Sequence, residues 1–138
     1  SSRKHVDITE LYYLFVDRKD CYFVCCDIKS LNEINEISFK AGDLAILEVL
    51  KRIEKVAGKE DVIFRIGGDE FVLLTNSKDK DYATNIGDMI LKMNGQTFTY
   101  ADKVIPLSVY VAVTRFSGSG LKYNELFTSL HNTIKESK

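Results

Sequence analysis

Two stretches of this 138-residue chain carry side chains able to do chemistry together. One is Asp27, closing the apolar run Cys21-Tyr22-Phe23-Val24-Cys25-Cys26; the other is Gly67-Gly68-Asp69-Glu70, set between two more apolar runs. Carboxylates brought close to one another are costly unless a cation lies between them. A divalent ion such as Mg²⁺ that bridges nucleotide phosphates supplies that charge. Paired glycines let a backbone approach a bulky phosphate ligand closely. The plainer reading is a strand-end aspartate that caps a helix and a turn that only closes a hairpin. Spacing alone leaves both readings open.

The elements that must position these residues alternate between two periodicities. Ile8, Leu11, Tyr12 and Phe15 give helical spacing over 7–18. Residues 21–26 are apolar at every position, as in a central strand covered on both faces. A short helix follows over 30–37 and a longer one over 41–57. The longer helix has the stripe Ile46, Val49, Leu50, Ile53 and Val56, and Gly58 as its stop. Strands over 61–66 and 71–75 form a hairpin around the glycine turn, and a helix over 79–93 runs to the turn Asn94-Gly95. A small hairpin (96–100 and 103–105), a long strand over 107–116, the loop Ser117-Gly118-Ser119-Gly120 and a last helix over 123–136 complete the chain. The fold class this predicts is α/β (α+β), a ferredoxin-like β-α-β-β-α-β palm with a central, mostly antiparallel sheet flanked by helices. There the first and third strands pair centrally, which sets Asp27 beside the turn that carries Asp69.

Composition excludes other classes. A net charge of −1 and a pI near 6.1 provide no field to attract nucleic acid, so no nucleic-acid partner is expected. Cys21, Cys25 and Cys26 fit no zinc spacing and read as buried free thiols in a reducing compartment. No run of 18 apolar residues and no signal-peptide layout occurs, so a cytoplasmic location without direct membrane insertion is expected. The whole, 1–138, reads as one domain, and the opening Ser1-Ser2-Arg3-Lys4 suits a segment cut from a larger parent protein.

The string Arg65-Ile66-Gly67-Gly68-Asp69-Glu70-Phe71 matches in full the signature of GGDEF domains, the diguanylate cyclases. Asp27-Ile28-Lys29-Ser30-Leu31-Asn32-Glu33-Ile34-Asn35-Glu36 resembles the family's D-I-D-x-F-K-x-I-N-D, and Gly42-Asp43 its next G-D. Glu125-Leu126-Phe127 through Lys138 follows the family's final helix in register, and Val6 to Leu11 is similar to its opening D-x-L-T-G-L. The resemblance covers essentially the whole chain. It implies condensation of two GTP molecules into cyclic di-GMP in bacterial signalling. Asp27, Asp69 and the Ile28 carbonyl would hold Mg²⁺ (or Mn²⁺). Glu70 and Asp69 would be the catalytic carboxylates, with Glu70 near the metal or helping to activate the 3′-hydroxyl. Asn35 and Asp43 would bind guanine, and Lys138 the phosphates. Catalysis would need a homodimer, and an attached sensory or regulatory domain is implied.

Several positions depart from the family pattern. Lys29 replaces the second acid of D-x-D, and Asn32 replaces a lysine. An ammonium at roughly 8 Å from a divalent ion costs about 1 kcal/mol in water and about 4 at an effective dielectric of 20. It is tolerable if it reaches solvent and damaging if it points inward. The stretch from Asn35 to Gly42 is one residue short, and the family's G-H is replaced by Ser38-Phe39 or lost. Val6 and Tyr13-Leu14 break the opening motif. The product-binding R-x-x-D reads Gly58-Lys59-Glu60-Asp61, so no feedback site of that kind is expected. Simpler roles stand beside the functional ones: a helix N-cap for Asp43, a solvated helix position for Asn35, a structural ion pair for Arg65, and plain surface for His5 and His131. The alternative to an active cyclase is a catalytically degenerate module that binds GTP or regulates an attached domain. A different nucleotide-handling palm domain is a further one.

Overall fold

Seven of the eight residues of Cys21–Ile28 are buried, on both faces of the strand, and that run is an interior strand of the sheet, paired on both sides. The computed structural model describes residues 5–6, 20–75, 77–116 and 132. The elements in chain order are β1 (His5–Val6), β2 (Cys21–Ile28), α1 (Leu31–Ile37), α2 (Phe39–Val56), β3 (Val62–Arg65), β4 (Glu70–Leu74), α3 (Lys80–Lys92), β5 (Thr97–Tyr100), β6 (Lys103–Pro106) and β7 (Val109–Phe116). The helices expected over 7–18 and 123–136, apart from residue 132, and the loop 117–120 lie outside the described residues.

The five-stranded sheet has the order β1-β3-β4-β2-β7, and β5 and β6 form a separate hairpin. Pairing is antiparallel for β2/β4, β2/β7 and β3/β4 and parallel only for β1/β3, so the expected mostly antiparallel palm is present. The edge pairing of His5–Val6 was not foreseen, because two residues carry too little periodicity to read. Val24, Cys26 and Ile28 point into a core shared with Ile53 of α2 and Ile86 and Ile90 of α3. The opposite face gathers Phe23, Cys25, Phe64, Val72, Leu74 and Phe116, with the Phe23 and Phe116 rings edge to face at 5.8 Å. All three cysteines are buried and free, as their apolar setting predicts.

The boundary between α1 and α2 differs from expectation. Ser38 is the C-cap of one helix and the N-cap of the next, with an extended backbone (φ −172°, ψ 142°) and a side chain that accepts from the Lys40 amide. A single shared cap removes the need for a loop, so α2 begins at Phe39 rather than 41, and the missing residue is absorbed there. Gly58 is likewise not a left-handed stop: α2 ends with Ala57 extended, and what constrains Gly58 is clearance. A Cβ there would meet the Tyr82 hydroxyl at 2.4 Å.

Sequence periodicity gave no sign of Arg52. The residue is 6% exposed, and its guanidinium donates to the Leu107 carbonyl at 2.7 Å and to the Gln96 carbonyl at 2.8 Å. Burial lowers its pKa. It thereby ties the β5–β6 hairpin to α2. Ser108, next along, accepts from the Lys29 amide at 2.9 Å, which carries that anchoring to the end of β2.

Candidate active site

Register decides what meets at the end of β2. Asp27 pairs with Glu70 across β4 on one side and with Tyr110 across β7 on the other. The Ile28 amide donates to the Asp69 carbonyl at 2.8 Å, which fixes the glycine turn to the strand end. Arg65 braces the same turn from the other side, bonding the Gly67 carbonyl at 2.9 Å and the Gly68 carbonyl at 2.6 Å. Its structural role is thus a hydrogen-bonded clasp on backbone oxygens. Neither glycine of the turn has a left-handed backbone. Gly68 instead leaves open space, with nothing within 4 Å of where a side chain would start.

Carboxylate oxygens of Asp27, Asp69 and Glu70 lie within 4.8 Å of one another. Asp27 is 1% exposed, and both its oxygens and Oε2 of Glu70 are shut off from solvent. Two full negative charges at 4.8 Å repel by about 3.5 kcal/mol at an effective dielectric of 20. Three such groups suit a hard divalent cation with oxygen ligands. Asp27 and Asp69 therefore fit the metal role, and Glu70 closes the same cluster. The field is felt deeper in the sheet: burial, and then the Glu70 charge, push the Cys25 thiol up to about 12.

Lys29 is displaced to the flank. Its ammonium sits 4.5 Å from the centre of the Tyr110 ring, on the β7 side of Asp27, whereas Glu70 and Asp69 lie on the β4 side. It also borders a cleft of about 390 Å³ between α1 and β6, lined by Glu33, Ile37, Ile105 and Pro106, which holds none of the three carboxylates. Ser30, left-handed at φ 58°, turns the chain from β2 into α1 within two residues.

Across the α1–α2 junction Asn35 lies against Gly42, the residue before Asp43. A Cβ at Gly42 would fall 1.7 Å from Oδ1 of Asn35, so the Asn35 amide occupies the notch that this glycine leaves. Asp43, exposed, follows Gly42 on α2. The N-cap reading of Asp43 is overturned, because Ser38 is the cap and Asp43 lies inside the helix. Lys138, the side chain of His5, and His131 lie outside the described residues. None of the described helices is long and apolar enough to cross a membrane.

The family profile described as "Diguanylate cyclase, GGDEF domain" matches residues 8–138. The chain is 26% identical over 113 residues to the bifunctional diguanylate cyclase/cyclic di-GMP phosphodiesterase MucR of Pseudomonas aeruginosa, covering 81% of this chain and 16% of MucR. It is 29% identical over 118 residues to the probable diguanylate cyclase DgcT of Escherichia coli, covering 81% of this chain and 26% of DgcT. Its fold matches that of the GGDEF domain of YfiN (TpbB) from Pseudomonas aeruginosa with a TM-score of 0.79 at 18% identity, over 99% of this chain and 90% of that one. The chain spans about a quarter or less of the length of these two curated relatives.

Proposed function

The chain belongs to the GGDEF, or diguanylate cyclase, family, and from that premise we propose that it condenses two GTP molecules into cyclic di-GMP. The observation that carries this reading is the cluster of Asp27, Asp69 and Glu70, whose carboxylates lie within 4.8 Å at the end of the central strand pair. Asp27 and Asp69, with the Ile28 carbonyl, would hold Mg²⁺ or Mn²⁺. When bound, the ion would supply charge neutralisation for the phosphoryl transfer.

The residues of this chain do the rest. The turn at Gly67 and Gly68, pinned by Arg65 and the Ile28 amide, keeps a clear approach for the triphosphate. Asn35 and Asp43 face the guanine, and the carboxylate accepts from its paired N1 and N2 donors. Adenine has no such pair and would leave the carboxylate unpaired. Glu70 would act beside the metal or help take the proton from the 3′-hydroxyl of the second nucleotide. The 3′-oxygen bonds to the α-phosphorus, the bond to pyrophosphate breaks, and pyrophosphate leaves. Each domain presents one GTP, so two copies face each other, and Lys138 adds positive charge at the phosphates. The greater length of the curated relatives supports an attached sensory or regulatory domain, and the family supports a cytoplasmic site of action.

Lys29 supports a second reading, a domain that binds GTP and regulates a neighbour without turnover. Calorimetric titration with GTP, with and without Mg²⁺ and with ATP as control, followed by product analysis in the full-length protein, separates the two. GTP-selective, Mg²⁺-dependent binding with cyclic di-GMP formation supports the first, and binding without product the second. Parent-like GTP affinity in Asp69→Ala would remove the metal assignment from both.

A further inference from the structure

Phe39 is the most exposed large apolar side chain among the described residues, at 81%, well above Leu47 of the same helix at 51%. It is the first residue of α2, so no preceding turn of that helix covers it. Three and four positions on stand Gly42 and Asp43. At about 100° of rotation per residue, Phe39 projects between the direction of Gly42, where the Asn35 amide sits, and that of Asp43. Helical side chains lean toward the N-terminus, so the Asp43 carboxylate reaches toward the level of Phe39. An amide, a carboxylate and an exposed aromatic ring thus share one stripe at the start of α2.

We infer that Phe39 is a binding contact for the nucleotide, its ring stacking on the face of the base whose edge Asn35 and Asp43 bind. The inference rests on the GTP-binding reading above. Edge hydrogen bonds fix a planar heterocycle in its own plane but leave its faces to water. An aromatic side chain beside that edge is the group that covers one face, and such stacking is worth a sizeable part of the affinity for a base.

The chain contains no tryptophan, so Phe39→Trp provides a single fluorophore at the position in question. Leu91→Trp, on the exposed side of α3, is the collisional control. GTP added in Mg²⁺ to Phe39→Trp should quench emission saturably, with the midpoint found by calorimetry, and should leave Leu91→Trp unaffected. Phe39→Ala should bind GTP about tenfold more weakly, and Phe39→Tyr should restore most of the loss. If the parent binds GTP in the calorimeter while Phe39→Trp shows no saturable quenching and Phe39→Ala keeps parental affinity, stacking is overturned and the GTP-binding reading stands. If the parent binds no GTP at all, the reading fails and the stacking role goes with it.

Discussion

The Tyr82 hydroxyl donates to Oδ2 of Asp61 at 2.6 Å, and the same oxygen accepts from the Gly58 amide at 2.7 Å. Asp61 is the retained acid of a family motif whose arginine is Gly58 here. In this chain the buried carboxylate joins the start of β3 to α3, and the tyrosine fills the space where a side chain at position 58 would begin.

Tyr82→Phe should therefore cost about 1–2 kcal/mol of stability, the ordinary penalty for taking a donor from a buried charged acceptor. Gly58→Arg should also destabilise, because its Cβ would lie 2.4 Å from the tyrosine hydroxyl. It should not create tight cyclic di-GMP binding. Thermal melts and a product titration check both. An arginine variant that melts like the parent and binds product tightly would show that the clasp does not close this position.

Gly42→Ala separates fold from recognition. Its methyl would fall on the Asn35 amide oxygen, the far end of a half-buried side chain that can swing away. Alanine within a helix gains about 0.5–1 kcal/mol over glycine, so stability should stay level or rise slightly. GTP affinity should fall, by about tenfold if Asn35 contributes one good hydrogen bond to the base. Unaltered affinity with normal stability would remove Asn35 from the site.

Much of this was legible in the chain itself. Strand Cys21–Ile28 could be read because it is apolar on both faces, and α3 because its stripe is regular. Asp27 and Asp69 could be placed together because strand order fixes which ends meet. The α1–α2 junction was not legible, since one serine does the work of two caps and only backbone geometry shows it. Arg52 was hidden because a charged residue beside an apolar stripe reads as surface until its carbonyl partners are seen. The position of Lys29 was undecidable for a similar reason: its direction depends on Tyr110, eighty-one residues away in the chain and two residues removed in the sheet.

The carboxylate cluster predicts opposite responses with and without metal. Asp27→Asn removes one of three negative charges that lie within 4.8 Å, so in chelator the variant should be more stable than the parent, by about 1–3 kcal/mol. Mg²⁺ should raise the melting temperature of the parent and leave the variant nearly unchanged. Denaturant unfolding in EDTA and in Mg²⁺ gives both numbers. Equal Mg²⁺ stabilisation of the two proteins would place the ion elsewhere.

The buried thiols give the alkaline limit of the fold. Burial, and then the Glu70 charge, raise Cys25 from 9.0 to about 12; burial raises Cys26 too, aided by the charges of Cys25 and Asp27. Between pH 9 and 12 the unfolded chain releases protons that the folded chain keeps, so stability present below pH 9 is lost as pH rises. Each thiol contributes a slope of about 1.4 kcal/mol per pH unit. Urea unfolding of the parent from pH 8 to 10.5 should therefore fall more steeply than that of Cys25→Ala/Cys26→Ala, with the difference appearing only above pH 9. The native protein should also react slowly with a thiol reagent at pH 8, since the thiolate is the reactive form. Parallel pH slopes, or fast labelling of Cys25 in the folded protein, would mean that the end of β2 opens to water far more readily than its packing beneath Asp27 and Glu70 allows.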